Sequence, residues 1–147
     1  MATVDPIPVG YHTVTPSLTI QGAADAIEFY KRAFGAVERG RMPDPKGAIM
    51  HAEIKIGDSI IMLADATMNP PTKATLHIYV EDVDGAWKKA VAAGAKVEMP
   101  LEDAFWGDRY GVLSDAWGNR WSLATHKEDL REEEMKQRAA EAMKKMK

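Results

Sequence analysis

The 147-residue chain contains no cysteine. A protein without cysteine has no disulfide bond, no thiolate metal ligand and no cysteine nucleophile. This composition fits a reducing compartment, so we expect a cytoplasmic protein. The N-terminal residues also lack the basic and apolar regions of a signal peptide, from which we expect no secretion.

The chain also lacks long apolar runs and a large excess of one charge. No apolar run approaches the roughly 20 residues that a membrane-spanning helix needs. Lys and Arg number 19 against 22 Asp and Glu, which gives a formal net charge of −3. A nucleic-acid surface needs a basic patch. The sequence therefore predicts a globular protein that contacts neither membranes nor nucleic acid.

The first half of the chain has the pattern of a strand, a helix and two further strands. Residues 14–20 alternate apolar and polar side chains, as a half-buried strand does. Residues 22–36 carry apolar side chains at helical spacing. Residues 49–56 and 59–65 are predicted strands joined by a tight turn. The Pro- and Gly-containing segment 41–47 is predicted to be a turn.

The same order of elements then starts again. Residues 75–80 are a predicted strand, 82–95 a helix ending at Gly94, and 96–100 a short strand. Residues 101–125 are predicted to form a loop and a hairpin. The repeat predicts an α+β fold built from two tandem βαβββ modules.

These patterns divide the chain into an arm, one domain and a final helix. We expect an irregular arm over residues 1–12 and a single domain over 13–126. The modules within this domain are predicted at 13–66 and 74–126. Residues 127–147 are predicted to form a helix, because acidic residues near its start and lysines near its end match the helix dipole. We expect this helix to pack on its own domain or on a dimer partner.

Strand alternation predicts which polar side chains lie together. Residues two apart in a strand face the same way, so the apolar residues face the helices and the polar ones face the opposite side. A mixture of hydroxyls, imidazoles, a carboxylate and a guanidinium suits a ligand pocket. A solvated sheet face is the alternative. The predicted polar face carries Thr15, Ser17, His51, Glu53, His77, Tyr79, Arg120 and Ser122.

Two further features have both a ligand-binding and a structural interpretation. The loop residues Trp106, Asp108, Arg109 and Tyr110 combine aromatic and charged groups that could frame the entrance of a pocket. Alternatively, the aspartate and the arginine pair with each other and hold the loop over the tryptophan. Similarly, Arg120 could bind a ligand carboxylate or phosphate, or could pair with Glu53.

The order of elements and several motifs resemble the vicinal oxygen chelate (VOC) superfamily. The motifs lie at 26–36, 49–65, 77–95 and 106–126, and they are most similar to the PhnB-like branch of the glyoxalase/bleomycin-resistance proteins. The resemblance implies that the curved sheets of two modules surround a pocket and that the protein is a homodimer. The superfamily includes lyases, isomerases, dioxygenases and non-catalytic drug-binding proteins, so the resemblance does not define the reaction.

The enzymes of this superfamily hold a divalent metal with His, Glu or Gln at four strand positions. The resemblance places these positions at Thr15, Met62, Thr75 and Ser122. Two threonines, a serine and a thioether do not supply the imidazole or carboxylate donors that such a site needs. We therefore expect no metal and no cofactor.

The sequence thus predicts a protein that sequesters a small molecule in a metal-free pocket, as in bleomycin resistance. An alternative is a metal-dependent lyase, isomerase or dioxygenase that uses a displaced site of His51, Glu53 and His77. A third possibility is a dimeric interaction protein. No catalytic residue is assigned. The predicted ligand-binding residues are Thr15, Ser17, His51, Glu53, His77, Tyr79, Trp106, Asp108, Arg109, Arg120 and Ser122.

Overall fold

The computed structural model describes residues 3–146, and within this range the chain forms two four-stranded sheets and three helices. This α+β architecture of two βαβββ modules followed by a C-terminal helix confirms the predicted fold. The elements in chain order are β1 (Ser17–Ile20), α1 (Ala23–Phe34), β2 (Val37–Pro43), β3 (Ile49–Ile56), β4 (Ser59–Asp65), β5 (Thr75–Tyr79), α2 (Val83–Ala92), β6 (Lys96–Asp103), β7 (Asp108–Ser114), β8 (Arg120–His126) and α3 (Glu132–Lys145).

The two modules have the same strand order. The first sheet runs β1-β4-β3-β2 and the second runs β5-β8-β7-β6. In each sheet the first strand pairs in parallel with the last, and the other pairs are antiparallel. The repeat of order therefore corresponds to a repeat of topology.

Strand β2 covers residues that the sequence predicts to be partly a turn. Its glycine, proline and charged residues are uncommon in central strands. They are tolerated here because β2 is an edge strand, and edge strands often carry charge and proline. The turn itself begins at Asp44, whose Oδ1 accepts hydrogen bonds from the backbone N–H groups of Lys46 and Ala48.

Each module buries one face of its sheet beneath its helix. In the first module, Leu18, Ile54 and Leu63 are buried together with the apolar side of α1. In the second module, Leu113 and Leu123 have the same role. The opposite face of each sheet, called the open face below, carries the polar residues, as strand alternation predicts.

Strand alternation from the sequence predicts that Met50 is buried, and this prediction is wrong. Alternation along β3 places it on the buried face with Ala52, but its side chain is 61% exposed and Ile49 is buried instead. The register between β2 and β3 shifts between Met42 and Pro43. This bulge adds a residue at the start of the strand and reverses the alternation there.

The two modules are joined through the carboxylate of Asp115, in the turn between β7 and β8. Its Oδ2 atom accepts hydrogen bonds from the Tyr30 hydroxyl at 2.6 Å and from Trp121 Nε1 at 2.9 Å. Its Oδ1 atom accepts the backbone N–H groups of Trp117 and Asn119. Burial and the neighbouring Asp115 raise the pKa of Tyr30, so its hydroxyl stays protonated and keeps donating.

The C-terminal helix α3 is attached mainly by polar contacts. Arg138 donates to Glu128 at 2.8 Å and to the Phe105 carbonyl at 3.5 Å. None of the α3 residues that the structure describes is fully buried. None of the helices within residues 3–146 is long and apolar enough to cross a membrane.

Replacing Tyr30 with phenylalanine should lower the free energy of unfolding by about 1.5–3 kcal/mol, the usual range for a buried hydrogen bond to a charged group. Urea unfolding monitored by circular dichroism measures this change. Tyr110→Phe is the control, because the Tyr110 hydroxyl makes no hydrogen bond with any residue that the structure describes. Equal stability of the two variants would contradict the role given to the Tyr30–Asp115 bond.

Candidate functional site

Four aromatic side chains form a continuous surface on the open face of the second module. The ring centroids of His77 and Tyr79 are 4.8 Å apart, and those of Trp106 and Tyr110 are 5.0 Å apart. His77 and Tyr110, at 6.2 Å, connect the two pairs. We call these four residues the aromatic face.

A buried carboxylate fixes part of the aromatic face. Asp108 is only 4% exposed. Its Oδ2 atom accepts hydrogen bonds from the Tyr79 hydroxyl at 3.2 Å and from Trp106 Nε1 at 3.1 Å. Burial alone would raise the pKa of Asp108, but hydrogen bonds from His126, Trp106 and Tyr79 outweigh it and hold this pKa below its ordinary value. The carboxylate is therefore ionised and keeps both aromatic side chains in place.

His126 connects this carboxylate to the start of the C-terminal segment. Its Nδ1 atom lies 2.7 Å from Asp108 Oδ1, and its Nε2 atom lies 2.7 Å from Asp129 Oδ1. Hydrogen bonds to Asp129 and Asp108 raise the pKa of His126. The protonated imidazole donates to both carboxylates at once.

His77 is oriented by a serine on the neighbouring strand. Its Nδ1 atom lies 2.6 Å from the Oγ atom of Ser122, which also lies 3.4 Å from the Leu76 carbonyl. Ser122 is only 5% exposed, so its hydroxyl positions the imidazole and is not accessible as a nucleophile. The Nε2 atom of His77 is left available for a ligand.

Tyr110 is predicted only as part of the pocket entrance, and His126 is given no role. Tyr110 lies two residues after Asp108 on β7 and therefore faces the same side. His126 lies directly opposite Asp108 in the register of β7 and β8. The alternation of β7 places Tyr110 on the face of Asp108, whereas the role of His126 required knowledge of the strand register.

The predicted ligand-binding role of Arg109 does not fit its position. Arg109 lies on the opposite side of β7 from Asp108 and Tyr110. Its guanidinium pairs with Asp84 at the start of α2 at 3.1 Å, and with Asp103 at 3.4 Å. Strand alternation points Arg109 away from the open face. Its ion pairs therefore connect β7 to helix α2 and to β6.

The candidate residues of the first module lie on the open face of their own sheet. His51 Nε2 is 3.1 Å from Glu53 Oε2. A hydrogen bond from Tyr11, and then the one from His51, hold the pKa of Glu53 below its ordinary value. The alternative Glu53–Arg120 pair is not formed, because Arg120 belongs to the other sheet. Ser17 is on the same face, in the row of Met62 and Glu53.

The N-terminal arm covers part of this first open face. Tyr11 contacts Glu53, and the Arg39 guanidinium lies 5.8 Å from the centre of the Tyr11 ring. Gly10 approaches Ile60, which is only 3% exposed although it belongs to the open face of β4. The two modules are therefore not equivalent. The arm covers part of the open face of the first module and does not cover that of the second.

A cleft of about 920 Å³ separates the two modules along the edge of β5. It touches His77 and Tyr79 at its rim, but Ser17, Glu53 and Arg120 do not line it. The predicted residues of the two sheets therefore do not share one cavity within the chain. Apolar and basic residues of both modules line this cleft, among them Val14, Phe34, Ile61, Ile78, Lys89 and Trp121.

The chain matches a known protein superfamily. The model of the Glyoxalase/Bleomycin resistance protein/Dioxygenase superfamily matches residues 11–123. The chain belongs to this superfamily. The match includes both modules and confirms the resemblance found in the sequence.

Two bacterial proteins are similar to the chain in sequence. An uncharacterized protein from Mycobacterium bovis is 43% identical over 122 residues, which cover 75% of this chain and 80% of that protein. The protein YjdN from Escherichia coli is 30% identical over 138 residues, with 75% of this chain and 92% of YjdN covered.

Two solved structures have the same fold as the chain. TioX from Micromonospora sp. ML1 is 28% identical with a TM-score of 0.67, covering 79% of this chain and 98% of TioX. TnmS3, an antibiotic binding protein from Streptomyces sp. CB03234, is 24% identical with a TM-score of 0.64, covering 79% and 96%. At that identity TnmS3 shows the shared fold.

The strand register offers an alternative for two of the four metal-ligand positions that the resemblance implies. Thr15 lies before β1, where its hydroxyl donates to the His12 carbonyl at 3.2 Å. Thr75 lies opposite Arg120. Met62 on β4 lies opposite Ser17, and Ser122 on β8 lies opposite His77. Ser17 and His77 each lie two residues after the position that the resemblance gives, Thr15 or Thr75.

The alternative set does not fit a divalent metal either. Ser17 lies opposite Met62, and His77 lies opposite Ser122, so the four positions offer a single imidazole. Such sites need three or four imidazole or carboxylate donors. The displaced set of His51, Glu53 and His77 spans two sheets, and residues 3–146 contain no group of three His, Cys, Asp or Glu side chains that could hold an ion.

The superfamily fold of this chain should be stabilised by His126 in a pH-dependent manner. Because folding raises the pKa of His126, its contribution should be full below about pH 6.5, the ordinary histidine pKa, and lost as the pH rises through the raised value. The Tm difference between the wild type and His126→Gln should therefore be larger at pH 6 than at pH 9. Differential scanning fluorimetry at both pH values measures it. A Tm difference independent of pH would contradict the stabilising contacts of His126 with Asp108 and Asp129.

Proposed function

We propose that this protein binds a small aromatic molecule on the aromatic face of the second module and holds it without converting it. The observation that carries this proposal is the buried, ionised Asp108, which holds Tyr79 and Trp106 in fixed orientations. Tyr79 is nevertheless 64% exposed, so its ring is available for contact. A large, exposed aromatic ring in a fixed orientation is typical of a binding surface.

Preorganisation supports binding in particular. A ligand that stacks on the aromatic face does not have to immobilise Tyr79 or Trp106, because Asp108 already holds both side chains. Binding to a preordered surface avoids about 0.5–1.5 kcal/mol of ordering cost for each side chain. The oriented His77 adds one polar group, which is the combination of apolar surface and a few polar groups found in ligand sites.

Sequestration is favoured over catalysis by the chemistry of the chain's own donors. The positions that hold metal in superfamily enzymes have one imidazole among them, and the Ser122 hydroxyl is buried. Sequestration of a harmful aromatic compound, as in antibiotic resistance, is the physiological role that we infer. The antibiotic-binding TnmS3 and the bleomycin-resistance members support this role by analogy of fold only. The cytoplasmic location stays a prediction.

We also propose that the protein is a homodimer. Strands β1 and β5 each have one hydrogen-bonded neighbour within residues 3–146, as do β2 and β6, so each sheet has two open edges. Val14, beside the edge of β1, is an apolar side chain that is 82% exposed. Open edges and apolar patches of this kind are usually covered by another chain.

Sedimentation velocity tests the homodimer. We expect the main species at micromolar concentration to have twice the chain mass of 16.2 kDa. Val14→Glu, beside the open edge of β1, should reduce this species to the monomer because a charge would be buried in the interface. The control is Val91→Glu on the exposed side of α2. A wild-type protein that stays monomeric over the whole concentration range would refute the dimer.

Titration with N-phenyl-1-naphthylamine, a neutral aromatic probe whose fluorescence rises in apolar sites, tests the binding function. We expect saturable binding that weakens about threefold to tenfold in Tyr79→Ala, because one aromatic stacking contact is lost. Met42→Ala removes an exposed apolar side chain from the other module and should leave the Kd unchanged. Absence of saturable binding, or equal effects of both substitutions, would overturn the proposed function.

A further inference from the structure

One cation on the open face of the second module is not explained by the aromatic site. Arg120 is the first residue of β8 and lies opposite Thr75 on β5 and Ser114 on β7. Its side chain is exposed, and among residues 3–146 it makes no ion pair. By contrast, Arg109 on the other side of the same sheet is paired with two carboxylates.

A carboxylate on the edge strand of the same sheet is already in use. Glu98 on β6 accepts a hydrogen bond from the Ser114 hydroxyl at 2.7 Å. Two strand spacings separate β6 from β8, since β7 lies between them. Glu98 and Arg120 form no ion pair among the described residues, so the guanidinium keeps its donors for another acceptor.

Arg120 is within reach of a ligand on the aromatic face. It lies two residues before Ser122 on the same strand, a separation of about 7 Å along the sheet. Ser122 is hydrogen-bonded to His77, the first residue of the aromatic face. A molecule stacked on His77 and Tyr79 can therefore extend an acidic group to the guanidinium.

Building on the proposed function, we propose that Arg120 is an anion-binding subsite and that the ligand is an aromatic molecule with a carboxylate, sulfonate, sulfate or phosphate group. A guanidinium binds such planar or tetrahedral oxyanions through two parallel N–H groups. Thr75, opposite Arg120, has an exposed hydroxyl that can donate to the same group. The aromatic face then binds the ring, and Arg120 selects for the charge.

Two probes that share one ring system test the subsite. 8-Anilino-1-naphthalenesulfonate differs from N-phenyl-1-naphthylamine by its sulfonate, so the ratio of their Kd values reports on the anion alone. We expect the wild type to prefer the sulfonate by about threefold to tenfold, the range for one charge-assisted contact at a partly exposed site. Arg120→Gln should abolish this preference without changing the Kd of the neutral probe. Arg120→Lys should retain part of it.

Arg32→Gln is the matched control, because Arg32 is an exposed arginine on α1 that makes no ion pair within the described residues. It should leave both Kd values unchanged. If Arg120→Gln retains the preference, or if Arg32→Gln loses as much, the subsite is refuted while neutral-probe binding still supports the proposed function. If the neutral probe does not bind at all, both proposals fail. The preference should also decrease between 50 and 500 mM NaCl because salt screens an exposed charge.

Discussion

The contact between Tyr30 and Asp115 determines how the two modules face each other. Tyr30 belongs to the helix of the first module, and the same carboxylate oxygen accepts Trp121 from the sheet of the second. Because this oxygen is shared, the helix of the first module is held against the sheet of the second, and the two helices contact each other. The open face of each sheet is the side that does not pack against the helices. Every polar candidate residue acquires its position from this arrangement.

The two open faces differ because their neighbouring segments differ. In the first module, the arm places Tyr11 on Glu53 and shields Ile60. In the second, Asp108 takes hydrogen bonds from the aromatic side chains and leaves their rings exposed. A tandem repeat of topology has thus produced one covered face and one ordered, accessible face. The binding function is assigned to the second face for this reason.

Much of the fold and part of the site could be predicted from the sequence. Alternation correctly separated the polar faces from the apolar faces, and the order of elements predicted the two modules. The pairing of His77 with Ser122 could not be predicted in this way, because it depends on the register of two strands 45 residues apart. Counting back from helix motifs placed the corresponding position at Thr75, two residues away. The partners of Arg109 were also missed, since a motif of mixed charge does not show which side of its strand each residue faces.

The central claim is that the ligand binds the aromatic face and not the cleft between the modules. Two of the four tryptophans distinguish these sites. Trp106 belongs to the aromatic face, and Trp121 lines the cleft. The most direct measurement is a ¹H–¹⁵N NMR titration with N-phenyl-1-naphthylamine that follows the indole Nε1–H signals, assigned by single Trp→Phe substitutions. The account predicts that the Trp106 signal shifts with saturation while the Trp121 signal stays in place. A shift of Trp121 without one of Trp106 would contradict it and place the ligand in the cleft.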